Sequence, residues 1–414
     1  MSHAQPSPRW HLGTWALHGG DDPGLHPYHA HLPVIFPTST YAFPDVATGA
    51  AIFGGEQPGY VYGRVGHPNA DHLARKIALL EAYDFLRQGV DPAEAAAGLV
   101  FASGMAAITS ALLARAQKGS VIIAQKVVYG TTFVFLHKVA PQLGIQVAFV
   151  DGDDPAAWEQ AFREHPKVVW AYIESPANPT LDITDIAMVT DLAHRHGAWV
   201  IMDNTFATPY CQRPLSLGVD VVIHSTTKYI SGHGQAIGGA VVSRDLDFVH
   251  GPVKDMLKTF GGMMGPFEAW MTMMGFKTFE IRMQRHCESA GRIARFLAQH
   301  PKVARVFYPG LEDFPGHAVA RKQMHCFGGM ISFELKGGFD AGVRLMEAVT
   351  LPALAVSLGK VDSLIEHPAS MTHAKVPPEE RQRMGITDGL VRFSVGIEPV
   401  EDLLADLEQA LAQV

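Results

Sequence analysis

The chain has 414 residues, of which 47% are hydrophobic and 18% charged, so it is too long for one small core and too apolar to be disordered. Its formal net charge of -8, without a long basic run, argues against nucleic acid or an anionic membrane as the main partner. We therefore expect an enzyme of two or three domains that acts on a small molecule.

The first 66 residues are rich in proline, glycine and histidine and show little helical periodicity. They begin with MSHAQPSPRW, which has neither the apolar segment nor the small-residue cleavage pattern of a secretory signal peptide. A free arm of this length is unusual in a compact domain, and one use for it is to wrap a neighbouring subunit. We predict that residues 1–66 form an N-terminal arm with inter-subunit contacts.

From about residue 70 the sequence alternates between helical and strand patterns. The predicted helices cover residues 70–83, 105–115, 131–143, 155–164 and 186–196, and the predicted strands cover residues 98–101, 121–124, 146–150, 168–173, 199–202 and 221–223. Short strands rich in Val and Ile, separated by helices, imply an α/β fold whose mostly parallel sheet is covered on both faces. We assign residues 67–270 to this domain.

Residues 95–114 carry no charge, and a stretch of this length must be weighed as a membrane span. It contains Gly98, Ser103, Gly104 and many alanines, which favour a buried strand followed by a turn and a helix. The preceding residues 83–97 look like an exposed loop.

The pattern changes again at about residue 267. A long helical stretch reaches residue 300, and strands at 304–307, 329–334 and 390–395 then alternate with helices at 341–348 and 400–412. This order predicts a smaller α+β domain over residues 271–414.

Polar residues follow three of the predicted strands of the first domain. Ser103 and Gly104 come after GLVFA, Asp203 comes after AWVIM, and Lys228 lies just beyond VVIHS. Folds of this class bind ligands beyond the carboxyl ends of their strands. We therefore expect these residues to converge on one crevice.

Lys228 stands between an apolar strand and the glycine-rich loop ISGHGQAIGG. Burial lowers the pKa of a lysine, and its neutral amine can then form a Schiff base with a carbonyl group. The local motif alone leaves a solvated loop lysine open as the alternative.

A phosphate site is suggested by Ser103, Gly104 and Met105, which open a predicted helix whose free amides and dipole attract an anion. Ser225 and Thr227 are hydroxyl donors in the Lys228 turn that could reach the same phosphate. A buried Ser-Gly turn without a ligand is the alternative.

Three further residues suit an aromatic cofactor and an acidic substrate. A carboxylate such as Asp203 can keep a pyridine nitrogen protonated, although Asp-Asn-Thr is also plausible turn sequence. Tyr129, in VVYGTTF, could stack on a ring, and Arg392, in LVRFSV, offers a fork for a carboxylate or pairs within the core.

The chain has three cysteines, Cys211, Cys287 and Cys326. They are far apart in sequence and lack CxxC spacing, so we expect neither a disulfide framework nor a metal site, and a reducing cytoplasm is the natural compartment.

At these positions the chain resembles the transsulfuration family, the pyridoxal-phosphate-dependent enzymes of cysteine and methionine metabolism. The resemblance covers nearly the whole length and rests on PGYVYGR (58–64), ASGMAAI (102–108), VYGTTF (128–133), ESPANPT (174–180), DNTFATPY (203–210), HSTTKYISGH (224–233) and the C-terminal SLGKVDSLIEHPASMTHA and LVRFSVGIE. It implies the fold of aspartate aminotransferase, called fold type I, and a homotetramer built from dimers.

The resemblance also implies roles for individual residues. Lys228 would carry the cofactor, pyridoxal 5'-phosphate, as a Schiff base and would share catalysis with Tyr129. The other cofactor contacts would come from Ser103, Gly104, Met105, Asn178, Asp203, Ser225 and Thr227, and from Tyr62 and Arg64 of a neighbouring subunit. Ser357 and Arg392 would hold the substrate carboxylate, and no metal is implied.

Within the family, the C-terminal run HPASMTHAKVPPEERQRMGITDGLVRFSVGIE most resembles the methionine γ-lyases. This implies γ-elimination from L-methionine or L-homocysteine to 2-oxobutyrate, ammonia and a thiol. Thr131 stands where bacterial lyases have cysteine, and Gln235 and GPFEAW (265–270) are nearer to the acylhomoserine sulfhydrylases.

Several alternatives therefore stay open. The first is γ-replacement by an O-acetyl- or O-succinylhomoserine sulfhydrylase, and the next is cystathionine cleavage or synthesis. A nucleotide-binding α/β protein without pyridoxal phosphate is the alternative from another class, but the first strand lacks a GxGxxG sequence.

Overall fold

The computed structural model describes residues 7–21, 23–372, 374, 379, 381 and 385–414. The strands of these residues are β1 Ala97–Phe101, β2 Val121–Gln125, β3 Gln146–Val150, β4 Val168–Glu174, β5 Trp199–Asp203, β6 Val221–His224, β7 Gly239–Ser243, β8 Val303–Phe307, β9 Met330–Leu335, β10 Ala353–Leu354, β11 Leu364–Glu366 and β12 Leu390–Ser394.

The helices follow the same chain order. They are α1 Leu12–His18, α2 Val46–Gly54, α3 Pro68–Glu81, α4 Tyr83–Arg87, α5 Pro92–Ala95, α6 Gly104–Leu113, α7 Gly130–Val134, α8 Ala140–Gln142, α9 Pro155–Glu164, α10 Ile186–Arg195, α11 Thr208–Cys211, α12 Leu246–Phe248, α13 Lys254–Phe260, α14 Pro266–Phe276, α15 Phe279–Gln299, α16 His317–Gln323, α17 Gly338–Ala348 and α18 Val400–Leu411.

Seven strands form the larger sheet, in the order β1-β7-β6-β5-β4-β2-β3. The pairs from β3 to β6 are parallel, and β7 runs antiparallel to both of its neighbours. Successive side chains of one strand enter different cores, as Val200 and Ile201 of β5 do, because side chains alternate between the two faces. The predicted α/β fold with a mostly parallel, doubly covered sheet is confirmed.

Five strands form a second sheet, in the order β10-β11-β12-β9-β8, and only β10 and β11 pair in parallel. A separate apolar core packs α15, α17 and α18 against this sheet. The α+β character expected of the C-terminal part is therefore confirmed, while the exact domain boundaries stay a prediction.

Two expectations about local structure were wrong. The N-terminal 66 residues contain helices α1 and α2, and α1 buries Leu12 and Trp15 in the core of the larger sheet. The segment from residue 83 to 97 is not a loop throughout, because it forms α4 and α5 and its Asp84 pairs with Arg213 at 2.9 Å, and its longest run of exposed residues is 87–89. Helices this short carry too little periodicity to be recognised in sequence and depend on packing for their stability.

Strand β7 was also missed. It follows the glycine-rich loop directly and contributes only five residues, all buried, between β1 and β6. The uncharged residues 95–114 form strand β1, a turn and helix α6, as predicted. Among the described residues, no helix is both long and apolar enough to cross a membrane.

Candidate active site

The site lies at the carboxyl edge of the larger sheet, where β5 and β6 run parallel with Asp203 opposite Ile223. Lys228 stands four residues beyond the end of β6, in the turn that precedes the glycine-rich loop. The charges of Asp203 and Lys228 are close enough to act on one another. The structure thus brings together the two residues on which the sequence interpretation depended most.

The Lys228 amine is hydrogen-bonded to a hydroxyl group and lies near two positively charged side chains. Its Nζ donates a hydrogen bond to Ser357 Oγ at 2.9 Å. Burial, followed by the positive charges of Arg392 and Lys360, lowers the pKa of Lys228 to about 8, against the opposing effect of Glu366 and Asp203. With that pKa roughly one-tenth of the amine is neutral at pH 7, so a nucleophile is available.

Asp203 is buried beside a second carboxyl group. Its Oδ1 accepts a hydrogen bond from the Thr205 amide at 2.9 Å, and Glu174 is its partner in the β4–β5 register. Burial raises the pKa of Asp203, while the Thr205 hydrogen bonds and the charges of His224 and Lys228 oppose the rise. Burial and the neighbouring Asp203 raise the pKa of Glu174 well above its usual range. Two buried carboxyl groups this close disfavour the doubly ionised state, so the pair as a whole retains a proton more readily than a solvated carboxyl group does.

Sequence reasoning did not assign a role to Glu174, although it belongs to the ESPANPT motif. Its Oε2 accepts a hydrogen bond from the Tyr129 amide at 2.8 Å, and so Glu174 positions the start of helix α7. The signal that could have found it is an acidic residue at the end of a buried strand, as for Asp203. The Tyr129 side chain itself is 46% exposed and free to contact a ligand.

The residues expected to bind a phosphate lie where helix α6 begins beside the Lys228 turn. Ser103 caps the helix, because its Oγ accepts a hydrogen bond from the Ala106 amide at 3.1 Å. A Cβ atom placed on Gly104 would lie 3.0 Å from Ser225 Cβ, so a larger residue there would have to push Ser225 aside by a few tenths of an ångström. Thr227 Oγ1 accepts a hydrogen bond from the Gly238 amide at 3.0 Å. Amides and hydroxyl groups thus surround one helix N-terminus, a good anion site.

Arg392, in β12, is buried and has three partners. Its guanidinium donates to Asn178 Oδ1 at 3.0 Å and to the Ser357 carbonyl at 2.9 Å, and it pairs with Glu366 Oε1 at 3.2 Å. Glu366 faces Arg392 across the β11–β12 ladder and was missed in the sequence, because the two residues are 26 positions apart. Ser357 has a φ of 85°, which costs a non-glycine residue about 1–3 kcal/mol and is typical of functional sites.

Two buried networks support the Lys228 turn from behind. His224 Nε2 and Glu81 Oε1 are 2.6 Å apart, and both side chains are fully buried. Arg282, also buried, donates to the Tyr229 carbonyl at 2.7 Å and to the Gly275 carbonyl at 3.0 Å. Neither Glu81 nor Arg282 was found in the sequence, because each contacts the turn only through the tertiary fold.

Tyr62 and Arg64 are exposed in this chain. The Arg64 guanidinium lies 5.6 Å from the centre of the Tyr62 ring and donates a hydrogen bond to the Lys258 carbonyl. Their expected contact with the phosphate of a neighbouring subunit stays a prediction. Thr131 and Gln235 are exposed as well, and Gln235 Nε2 donates to the Met271 carbonyl at 3.3 Å.

Comparison with known proteins identifies the relatives of this chain. The family model for Cys/Met metabolism PLP-dependent enzymes matches residues 13–412. An L-methionine gamma-lyase of Fusobacterium nucleatum subsp. nucleatum is 47% identical over 97% of this chain and 98% of its own length. Five further proteins named L-methionine gamma-lyase are 43% to 46% identical.

Relatives with other names are similar over the same length. An O-succinylhomoserine sulfhydrylase of Pseudomonas aeruginosa is 39% identical over 93% of this chain and 92% of its own. A crystal structure of cystathionine gamma synthase from Xanthomonas oryzae pv. oryzae, in complex with aminoacrylate and cysteine, superposes with a TM-score of 0.89 and 37% identity, covering 99% of both chains. The predicted fold type I is therefore confirmed.

Residues 373, 375–378, 380 and 382–384 belong to the C-terminal run that carried part of the sequence resemblance. They lie outside the described residues. The neighbouring site residues Ser357, Glu366 and Arg392 are all described.

Proposed function

Because this chain belongs to the pyridoxal-phosphate-dependent enzymes of Cys/Met metabolism, we propose that it catalyses γ-elimination from L-methionine or L-homocysteine. The products are 2-oxobutyrate, ammonia and methanethiol or hydrogen sulfide. The observation that carries the proposal is the Lys228 amine, whose pKa is lowered to about 8 and which is hydrogen-bonded to Ser357 beside Arg392. The names of the most similar relatives support the choice of substrate.

The residues of the site fit pyridoxal phosphate. The cup formed by Gly104, Met105, Ser225 and Thr227 would hold the phosphate, since its glycine allows close approach and its amides favour an anion. Asp203 would pair with the ring nitrogen, because a buried carboxylate is stabilised by an adjacent cation. Asn178 would lie near the ring hydroxyl, and Tyr129 offers an exposed aromatic face.

When bound, the cofactor supplies an electron sink that stabilises negative charge on the amino acid carbon skeleton. Lys228 Nζ would remove the proton from the substrate Cα and later a proton from Cβ, since its amine is neutral often enough to act as a base. Tyr129 Oη would donate a proton to the departing sulfur. Asp203, which is buried, would pair as a carboxylate with the ring nitrogen and keep that nitrogen protonated.

Arg392 would bind the substrate carboxylate through its planar guanidinium. Its contacts with Asn178 and the Ser357 carbonyl support this role, because they fix the orientation of the fork before substrate arrives. Ser357 also contacts Lys228, so one residue sets the positions of both the base and the carboxylate-binding group.

We further assign the enzyme to the cytoplasm, as a homotetramer made of dimers whose sites are shared. A reducing compartment suits its three free thiols. The exposed side chains of Val46, Phe53 and Tyr62, in the first 66 residues, support burial against another subunit. Arg64→Ala should weaken cofactor retention during dialysis, and unchanged retention would contradict the shared site.

Incubation with three substrates tests the reaction. The enzyme should release 2-oxobutyrate from L-methionine faster than it forms homocysteine from O-acetylhomoserine and sulfide, and cystathionine serves as the third substrate. Lys228→Ala should remove turnover while the protein stays folded. Faster formation of homocysteine would contradict γ-elimination as the main activity, and near-normal activity of Lys228→Ala would contradict the mechanism.

The second candidate is γ-replacement by a sulfhydrylase. It is favoured by Gln235, which follows the Lys228 loop and hydrogen-bonds to helix α14 at the Met271 carbonyl, and by the similarity to the sulfhydrylase of P. aeruginosa. The same incubation distinguishes the two candidates by their products.

A further inference from the structure

The only three cysteines of the chain meet at one point. Cys211 ends helix α11, Cys287 lies in helix α15, and Cys326 precedes strand β9. Their sulfur atoms are separated by 3.0 Å (211–326), 3.2 Å (287–326) and 3.6 Å (211–287). The sequence spacing suggested neither a disulfide framework nor a thiolate zinc site, but the tertiary fold joins the three segments and brings the sulfur atoms together.

The three sulfur atoms form a triangle that a metal ion can cap, although its sides are shorter than the roughly 3.8 Å between the sulfurs of a tetrahedral zinc site, so the sulfurs would move apart by a few tenths of an ångström on binding. A circle through them has a radius of about 1.9 Å, given these separations. An ion at the usual zinc–sulfur distance of about 2.3 Å would then lie roughly 1.3 Å out of their plane. This is a pyramidal arrangement with a fourth coordination position opposite the three sulfurs.

The surroundings suit thiolates. The Gly328 backbone amide is within hydrogen-bonding reach of both Cys287 and Cys326, and such donors stabilise the sulfur ligands of metal sites. His325 immediately precedes Cys326 in the chain, and its backbone amide donates a hydrogen bond to the Cys211 carbonyl at 2.7 Å. The Arg213 guanidinium contacts the His325 ring, which adds positive charge on this side of the cluster.

We propose that Cys211, Cys287 and Cys326 bind a thiophilic divalent cation of the zinc class. The three sulfurs would be thiolates, and a water or another small ligand would complete a tetrahedral site. Mg²⁺ and Ca²⁺ are excluded by the all-sulfur ligand set, because both require oxygen. Binding would displace the remaining thiol protons into solvent, so no oxidant or reductant takes part.

The position of the cluster gives the ion a structural role. Helix α11 follows the strand that carries Asp203, whereas Cys326 leads into the second sheet and Cys287 lies on the helix between them. One ion would therefore join the two sheets, and it would stabilise the folded chain by mass action. Cys287 and Cys326 are only partly buried in this chain, which leaves a path for the ion.

Cation binding can be measured on the holoenzyme after reduction and treatment with a chelator. Zn²⁺ should bind at about one equivalent per chain and raise the melting temperature. Cd²⁺ should produce the ultraviolet sulfur-to-metal charge-transfer band of a thiolate site. Cys287→Ala and Cys326→Ser should each lose this band and about one equivalent of bound metal. The control is His29→Ala, in the exposed histidine-containing loop, which should retain both.

Several results would overturn the proposal. One is the absence of the charge-transfer band in wild-type protein, a measurement that does not depend on whether the cysteine variants fold. Others are undiminished zinc content in both cysteine variants, or a purified protein whose mass reveals a disulfide between two of the three cysteines.

Discussion

Lys228 should react with pyridoxal phosphate as an amine with a pKa near 8. Burial and the charges of Arg392 and Lys360 lower its pKa from the ordinary value of 10.5 to about 8. The neutral fraction at pH 7 is then roughly 10%, against about 0.03% for an ordinary lysine, so the reactive form is about 300 times more abundant.

The same change in pKa has a cost for the stability of the cofactor-free protein. Because the unfolded chain binds this proton more tightly than the folded chain, stability should rise between about pH 8 and 10.5. The lowered pKa destabilises the folded protein by roughly 3 kcal/mol. This destabilisation is complete below pH 8 and disappears as the pH rises to about 10.5. Cofactor bound to Lys228 as a Schiff base would change this dependence, since the nitrogen would then no longer titrate as a free amine.

The assay measures how fast cofactor-free enzyme takes up pyridoxal phosphate, followed by visible absorbance from about pH 6 to about pH 10. The rate should rise tenfold per pH unit and level off above about pH 8. Lys360→Met removes one of the two cationic neighbours of the amine. The midpoint of the curve of uptake rate against pH should therefore move to a higher pH. A wild-type rate that still rises steeply above pH 9.5 would refute the argument that burial activates Lys228.

Three substitutions test other parts of the site. Asp203→Asn should retain covalently attached cofactor but lower kcat by roughly 100-fold or more, because an amide cannot hold the ring nitrogen protonated; a decrease below tenfold would contradict this role. Glu366→Gln should lower KM a few-fold, because it removes the carboxylate that competes with the substrate carboxylate for Arg392. Asn178 and the Ser357 carbonyl would still orient the guanidinium. A raised KM would show that Glu366 positions Arg392 instead. Arg282→Met should lower the free energy of unfolding in urea by about 3 kcal/mol, because buried carbonyls lose charged donors, and a loss below about 1 kcal/mol would contradict that account.

The residues proposed to hold the cofactor could be predicted from the sequence because they belong to local motifs. Lys228, Ser225 and Thr227 share one turn, and Ser103 to Met105 open one helix, so the chain order already places them at strand ends. Parallel strands place their carboxyl ends on the same edge, and this physical rule alone brings Asp203 and Lys228 together.

Partners that act across the fold could not be found in this way. Glu366 reaches Arg392 across a strand pair, and Arg282 contacts the Lys228 turn from a helix more than fifty residues away. No periodicity or spacing reports such contacts, because they depend on how separate elements pack.

The sequence by itself determined the α/β class, the family and the cofactor, because these depend on hydrophobic periodicity and on motifs whose residues are neighbours in the chain. The tertiary structure alone decided the pairing of Glu174 with Asp203, the support behind the lysine turn and the meeting of the three cysteines. The physical reason is that burial and charge coupling depend on distance in space, and only the packed chain sets that distance.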